Sequence, residues 1–248
     1  MGSAMFETFP KTRPPLPGEI EDIYHSYYKT NREGKTTASW LSQRMESWLH
    51  LKVAKDIGNL EKSKRATLEL GAGTLNQLYY EPEVYPYDIV EPFADLYKSS
   101  PLLGKIRNIY DDISKVPISF CYQRITSIAA LEHICNLPEV VARCGLLLAK
   151  DGTFRAAIPS EGTLLWTLGW KLTTGLEFKL KYDIDYGLLM MHEHVNTAEE
   201  IEEVLNYFFE QVVCNVFGLS KSISLFRFYE CRIPKDNKCY EFSKLKVS

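Results

Sequence analysis

An acidic residue and two glycines form the stretch of this sequence that is best suited to bind a ligand. Glu69 is followed by Gly71 and Gly73, and the residues just before it, Arg65–Leu68, have the character of a β-strand. Glycine tolerates positive φ angles and lets the backbone approach a bound molecule closely. A helix beginning after the turn would point its partly positive amino terminus at the same place. The stretch therefore predicts a strand, a tight turn and a helix that together bind a nucleotide-like ligand.

A second acidic residue lies where a nucleotide-binding fold needs one. Glu91 follows the glycine turn by about 20 residues, the distance at which such folds place an acid that binds ribose hydroxyls. A carboxylate suits two neighbouring hydroxyls because it can accept a hydrogen bond from each. The alternative is that Glu91 caps the end of a strand and faces water. The glycine turn upstream favours the ligand, and we expect Glu91 to bind it.

The elements that would position these residues alternate along the chain. Short apolar segments typical of strands are separated by segments with helical spacing, and a capping box, Thr197–Glu200, begins a helix further on. This alternation predicts an α/β fold with a doubly wound, mostly parallel sheet of seven strands, which binds ligands at the carboxyl ends of its strands. The predicted strands are Arg65–Leu70, Tyr87–Val90, Ile106–Tyr110, Arg124–Ala129, Thr153–Ile158, Gln211–Phe217 and Leu225–Ile233, and a helix is predicted over Pro138–Ala149.

The chain divides into a core and two flanking segments. Residues 1–60 are predicted to form a proline-rich N-terminal arm and a helical cap, with helical spacing of apolar residues between Thr37 and Ile57. Residues 61–233 are predicted to form the core, and residues 234–248 a C-terminal tail. The segment near 160–195 is longer than a simple connection needs, and such long connections are usually functional. We therefore expect an insertion here that acts as a lid.

The overall composition is that of an ordinary globular domain. Hydrophobic residues make up 45% and charged residues 25% of the 248 residues, enough for a sizeable core. The formal net charge of −3 argues against general affinity for nucleic acid, and no apolar stretch is long enough to span a membrane. Six scattered cysteines without a Cys-x-x-Cys pair indicate a reducing environment. We expect a cytoplasmic protein that acts on a small molecule, with no nucleic-acid partner and no bound metal.

Five segments, in this order and spacing, resemble those of a known enzyme family: Glu69–Gly73, Ile89–Pro92, Ala130–Ile134, Leu147–Phe154 and His194–Ile201. They are similar to class I S-adenosylmethionine-dependent methyltransferases, in particular the branch that acts on small molecules, over about residues 65–233. The last segment resembles the start of the family's last helix. The resemblance implies the Rossmann-like methyltransferase fold, S-adenosyl-L-methionine as cofactor, and methyl transfer to oxygen, nitrogen or carbon of a small acceptor.

The resemblance also implies a cofactor contact for each segment. The glycine turn would pack against the methionine part of the cofactor, and the residues after the second strand would bind its ribose and adenine. An acid after the third strand would approach the adenine amino group, and the residues after the fourth would line the sulfonium side. The residues implied are, in that order, Glu69, Gly71, Ala72 and Gly73; Glu91 and Pro92; Asp111 or Asp112, between which the sequence does not choose; and Ala129 and Leu131.

Two positions depart from the family's pattern. Leu75 stands where the family often has a third glycine, and Gln123 where an aspartate is usual before the fourth strand. The spacing also argues against a nicotinamide dehydrogenase, because the dinucleotide fingerprint would place its third glycine at Asn76. Neither Leu75 nor Gln123 removes a group that methyl transfer needs.

The candidate base residues lie after the fifth strand, where the family builds its acceptor site. Methyl transfer is an in-line displacement, so the enzyme must mainly align the reactants and exclude water. A base is needed only when the acceptor does not lose its proton by itself, as with a hydroxyl. His192, Glu193 and His194 are the candidates, with purely structural hydrogen bonding as the alternative for each. We expect His133, in the Leu-Glu-His element, to position the acceptor.

Aromatic residues are the candidates for closing the acceptor site. Trp166 and Trp170 lie in the predicted lid, and Tyr24, Tyr27 and Tyr28 would cover an acceptor from the other side. Aromatic rings near a sulfonium would also stabilise its charge. The alternative is that these rings simply form local core.

Two other functions fit parts of the sequence. The chain could bind S-adenosylmethionine without turnover, as a sensor or a subunit, although the intact glycine turn and Glu91 favour an enzyme. The segment Leu164–Leu172 could instead contact a membrane surface through its two tryptophans, but the surrounding chain is not basic.

Overall fold

Seven strands form a single sheet in the computed structural model, which describes residues 6–18, 20, 40–56, 66–81 and 86–244. The strands are β1 (Thr67–Leu70), β2 (Tyr87–Val90), β3 (Asn108–Tyr110), β4 (Tyr122–Ile128), β5 (Leu148–Pro159), β6 (Phe209–Gly218) and β7 (Ser224–Pro234). Their order is β3-β2-β1-β4-β5-β7-β6, and β7 alone runs antiparallel to its neighbours. This confirms the predicted seven-stranded, mostly parallel sheet.

The parallel strands β1 and β2 are buried along their whole length, as expected for strands whose two faces are covered. The ends of β2 are as predicted, and the other strands differ from the predicted ones by a few residues at one or both ends. The largest difference is in β5, where Lys150–Gly152, predicted as a turn, lies within a break in the β4–β5 register.

Eight α-helices are present in the described part of the chain. The predicted helix before β5 forms, and the predicted capping box is present, with the Glu200 N–H donating to Thr197 Oγ1 at 3.2 Å. The last helix occupies most of the segment predicted as a tail. The helices are α1 (Trp40–Ala54), α2 (Ala94–Tyr97), α3 (Leu137–Leu147), α4 (Leu164–Trp170), α5 (Leu176–Tyr182), α6 (Tyr186–Glu193), α7 (Ala198–Phe208) and α8 (Asp236–Lys244).

The main hydrophobic core lies between the sheet and the helices α3, α7 and α8. Val141 and Leu147 of α3 and Ile201 and Phe208 of α7 are fully buried there. Burial of side chains of this size contributes about 1.5–3 kcal/mol each, so the core fixes one face of the sheet firmly. The opposite face is left to α1, which approaches the ligand-binding edge.

The predicted helix after the glycine turn is not formed in the described residues. Only one 3₁₀ turn, Asn76–Tyr79, follows it. Leu75, just before this turn, has a left-handed backbone (φ 69°), and proline stands at positions 82 and 86, where it disfavours continuation of a helix. The prediction that a helix amino terminus faces the ligand is therefore wrong, and backbone N–H groups of the turn itself must take that role.

Helix α1 is fixed to the sheet through its last turn. The Arg155 guanidinium, on β5, donates to the carbonyl oxygens of Val53 and Lys52 at 2.8 Å each. Arg124, on β4, is fully buried and pairs with Asp56 and Glu81. The Arg155 bonds satisfy carbonyl groups that a helix end leaves open, and together these contacts hold the end of α1 against the sheet.

The predicted insertion after β5 consists of three short helices rather than a long loop. A π-helical turn, Lys171–Gly175, joins α4 to α5. Phe178 and Leu189 pack with Ile20 of the N-terminal arm in a small cluster of their own. Within the described ranges, every helix is too short or too polar to cross a bilayer.

Candidate functional site

A cavity of about 850 Å³ opens at the carboxyl ends of β1, β2, β3 and β4. This is the edge where doubly wound sheets bind their ligands. Most of the residues that the sequence predicted for the cofactor, together with one predicted for the acceptor, line the cavity. They are Glu69, Gly71, Ala72, Gly73, Glu91, Pro92, Asp111, Asp112, Ala129 and His133.

The glycine turn forms the floor of the cavity. Gly71 and Gly73 have φ angles of 67° and 52°, which glycine adopts without strain. A Cβ atom on Gly71 would lie 2.5 Å from Cβ of Ala130, so glycine also provides the space against the segment after β4. Leu75 has the same left-handed backbone with its side chain fully buried. The missing third glycine is therefore replaced by a strained leucine that packs into the core.

Glu91 is held by two backbone groups at the cavity wall. Its Oε2 accepts a hydrogen bond from the Gly73 N–H at 2.8 Å, and its Oε1 accepts one from the Phe93 N–H at 3.0 Å. Each carboxylate oxygen can accept a further bond, so the fixed carboxylate can still bind two neighbouring hydroxyls. The turn and the acid thus form one unit.

Glu69 is a buried carboxyl at the base of the turn. Burial raises its pKa to about 8, although the hydrogen bond from Tyr87 Oη at 2.8 Å opposes the shift. At neutral pH this carboxyl is mostly protonated. A cationic group bound next to it would favour the ionised form.

The two candidate acids after β3 both lie at the cavity. Asp111 pairs with Lys115 at 2.6 Å, and Asp112 caps the 3₁₀ turn Ile113–Lys115 by accepting a bond from the Ser114 N–H. Phe93 lines the same end of the cavity and is more than half exposed. An exposed ring beside Pro92 offers a flat apolar surface, which the sequence reasoning did not single out.

The N-terminal segments supply a wall that the sequence did not predict. Glu46, Leu49 and His50 of α1 line the cavity, as does Arg13 of the arm. His50 Nδ1 lies 2.8 Å from Gln77 Oε1, and burial lowers the pKa of its imidazole. The helical spacing of α1 indicated only its apolar face, so its polar contact with the 3₁₀ turn Asn76–Tyr79 depends on tertiary packing.

Five residues form a compact group beside the cavity, which we call the His–Glu cluster: Glu132, His133, Glu161, Glu193 and His194. The rings of the two histidines are 4.9 Å apart at an angle of 80°. Burial lowers the pKa of His194, but the hydrogen bond to Glu161 and the nearby carboxylates outweigh burial and leave it above its usual value. Burial raises the pKa of Glu193. Of the two histidines, His133 lines the cavity.

Several predicted residues lie away from the cavity wall. Leu131 does not line it, because its side chain is fully buried in the main core. His192 Nδ1 bonds to the carbonyl oxygen of Pro14 on the outside of α6, 2.7 Å away. Trp166 stacks on His194, and Trp170 packs on Tyr186 within the insertion. The predicted Tyr24, Tyr27 and Tyr28 lie outside the described residues.

Comparisons with known proteins find structures of similar fold but no matching sequence family. No protein-family model and no curated protein matches this sequence. The solved structure of the plantazolicin methyltransferase BpumL with SAH and a monoazolic desmethylPZN analog matches with a TM-score of 0.60 and 14% identity, over 86% of this chain and 92% of that one. CurJ carbon methyltransferase matches with a TM-score of 0.56 and 22% identity, over 82% of this chain and 57% of that one.

A third match extends over nearly the whole of a bacterial protein. It is an S-adenosylmethionine-dependent methyltransferase from Clostridium acetobutylicum ATCC 824, with a TM-score of 0.53 and 14% identity, over 87% of this chain and 99% of that one. All three matches are to S-adenosylmethionine-dependent or carbon methyltransferases with a similar backbone over more than four fifths of this chain. The chain therefore has the Rossmann-like fold of S-adenosylmethionine-dependent methyltransferases.

Proposed function

We propose that this protein transfers a methyl group from S-adenosylmethionine to oxygen, nitrogen or carbon of a small-molecule acceptor. The observation that carries the proposal is the unit formed by the glycine turn and Glu91, in which the Gly73 N–H fixes the carboxylate at the cavity wall. A fixed carboxylate beside a close-approach turn suits a ribose attached to a short polar chain. Structures with SAH among the solved matches support this assignment.

The cavity offers a place for each part of that cofactor. Glu69 and the turn would face the charged methionine portion, and Glu91 would accept hydrogen bonds from the ribose hydroxyls. Phe93 and Pro92 would pack on the adenine ring, with Asp111 or Asp112 near its amino group. Ala129, directly after β4, has a φ of 48°, and this turn of the chain would leave room on the sulfonium side of the cofactor.

The rest of the cavity is suited to an acceptor of modest size. Ligand sites of about 300–1,000 Å³ are typical, and the observed volume lies in the upper part of that range. Leu49 and Ile134 give this part apolar surface, while His50 and His133 give it polar groups. These residues would align the acceptor with the methyl group and exclude water, which is the main requirement of the reaction.

The His–Glu cluster would hold the proton of a hydroxyl acceptor. His133 is its member at the cavity, and Glu193 and His194 would act through it as positioning residues. His192 does not line the cavity, so we assign it a structural role through its hydrogen bond to the Pro14 carbonyl oxygen.

Turnover with a panel of small acceptors tests the proposal. The protein is incubated with S-adenosylmethionine and hydroxyl, amine or carbon-acid acceptors, and S-adenosylhomocysteine is measured. We expect release with at least one acceptor class and a loss of that release in Glu91→Gln. Cofactor binding without any release would support a binding module in place of an enzyme.

A further inference from the structure

Three side chains of the His–Glu cluster come close enough to bind one metal ion. One ligand atom from each of Glu132, His133 and His194 lies within 4.8 Å of the other two. Glu132 Oε1 and His133 Nε2 are 3.7 Å apart. Ligand atoms around a tetrahedral ion are about 3.4 Å apart, given metal–ligand distances near 2.1 Å. A small inward movement of the side chains would therefore complete the geometry.

In each histidine ring, a hydrogen bond at Nδ1 indicates which nitrogen carries the lone pair. His133 Nδ1 lies 2.9 Å from the carbonyl oxygen of Glu193, which can only accept, so Nδ1 carries the hydrogen. His194 Nδ1 lies 2.7 Å from a Glu161 carboxylate oxygen. In the neutral rings, Nε2 is then a lone-pair donor. Metal-binding histidines characteristically have such an outer acceptor for the other ring nitrogen.

The charge of the cluster also favours a cation. Three carboxylates, those of Glu132, Glu161 and Glu193, surround the two imidazoles, and all five side chains are mostly buried. Arg13 offsets part of this charge, with its guanidinium 3.9 Å from the Glu193 carboxylate. A divalent ion would offset the remainder at a place where water stabilises charge poorly.

We propose that Glu132, His133 and His194 form a binding site for a divalent first-row transition metal ion such as Zn²⁺ or Fe²⁺. Two imidazoles and one carboxylate form a known ligand set for these ions, and it leaves coordination positions open. Because His133 lines the cavity, those positions would face the acceptor, a placement that rests on the proposed function. A hydroxyl bound to the ion would lose its proton more readily. The sequence predicted no metal, because the three ligands come from segments about 60 residues apart.

Cobalt(II) absorption spectroscopy, with Zn²⁺ calorimetry beside it, tests the site. We expect the wild-type protein to bind Co²⁺ with visible ligand-field bands and Zn²⁺ to displace it. Loss of an outer partner such as Glu161 typically weakens metal affinity by about 10- to 100-fold, and His194→Ala or the isosteric Glu132→Gln should weaken it by more. His192→Ala is the matched control, because this neighbouring histidine bonds to Pro14 and should leave Co²⁺ binding unchanged.

The outcomes separate this proposal from the proposed function. No Co²⁺ or Zn²⁺ binding at about 1 mM, the limit of weak binding, would overturn the metal site, as would equal losses in His192→Ala and His194→Ala. S-adenosylmethionine binding is measured on the same samples. Retained cofactor binding without metal binding contradicts only the metal site, whereas metal binding without cofactor binding contradicts only the proposed function. Circular dichroism of each variant checks that it is folded.

Discussion

The buried carboxyl of Glu69 should make the stability of the protein depend on pH. It lies at the base of the glycine turn with its side chain almost fully buried, and burial raises its pKa to about 8. The unfolded chain releases this proton near pH 4.5, so between these values the folded state holds a proton that the unfolded state does not. The stability that Glu69 provides is thus complete at low pH and is lost progressively as the pH rises through 8.

We expect Glu69→Gln to remove much of this pH dependence. Each pH unit between the two pKa values corresponds to about 1.4 kcal/mol, so the wild-type protein should lose about 2 kcal/mol between pH 6 and pH 8 through this residue. Urea unfolding of the cofactor-free protein at both pH values measures the difference. Glu46→Gln, at an exposed carboxylate of the same cavity, serves as control and should preserve the decline. An unchanged decline in Glu69→Gln would contradict a raised pKa.

Leu75 places packing and backbone strain in opposition at a single residue. Its left-handed backbone costs about 1–2 kcal/mol, whereas removing a buried leucine costs about 2–5 kcal/mol. Packing should win, so both Leu75→Ala and Leu75→Gly are expected to destabilise the protein. The glycine variant should nevertheless be more stable than the alanine variant by about 1 kcal/mol, because it relieves the φ angle. Urea unfolding of the pair decides this, and a more stable alanine variant would contradict the strain.

At the scale of elements, the hydrogen bonds between Arg155 of β5 and the end of α1 position the cavity wall that α1 provides. Arg155 joins the last carbonyls of α1 to Glu230 on β7, and it is almost fully buried. Removing Arg155 would remove buried hydrogen bonds to the carbonyl groups of Lys52 and Val53, and a lost hydrogen bond of a buried group costs about 1–3 kcal/mol. The position of Glu46, Leu49 and His50 at the cavity therefore depends on this arginine.

Arg155→Met should destabilise the protein by about 3 kcal/mol, because buried hydrogen bonds to α1 are lost, and should also weaken binding in the cavity. Arg232→Met is a matched control, because Arg232 pairs with the same Glu230 but is nearly half exposed, where such pairs contribute at most about 1 kcal/mol. Thermal and urea unfolding compare the two. Equal losses of unfolding free energy in both variants would show that the contact of Arg155 with α1 does not contribute to stability.

The elements that were predicted correctly are those with a strong local signal. β2 has the predicted bounds Tyr87–Val90 because its four residues are buried, and the Thr197 capping box marks the start of α7. The helix expected after Gly73 failed because the spacing argument did not weigh Leu75 or the two prolines that follow. The insertion after β5 was identified by its length, but its division into α4, α5 and α6 was not.

At the scale of the whole molecule, one part of the site is a motif that the sequence predicts, and the other part is formed by tertiary packing. The glycine turn and Glu91 could be predicted, since nucleotide-binding folds place them at a known spacing. The α1 wall and the contact of Arg13 with the cavity could not, because they bring together segments far apart in the chain. The pairing of His133 with His194 is of the same kind. A sequence of this type thus predicts the cofactor end of a site better than its acceptor end.

The central claim is that the turn and Glu91 bind S-adenosylmethionine. Titration calorimetry of S-adenosylmethionine and S-adenosylhomocysteine into the wild-type protein, Glu91→Gln and the control Asp95→Asn tests it most directly. Asp95 is a largely exposed carboxylate on neighbouring α2. We predict that both ligands bind the wild type and the control equally, and bind Glu91→Gln at least about 10-fold more weakly, since a hydrogen bond to a charged group contributes about 1.5–3 kcal/mol. No binding of either ligand to the folded wild-type protein would contradict the account.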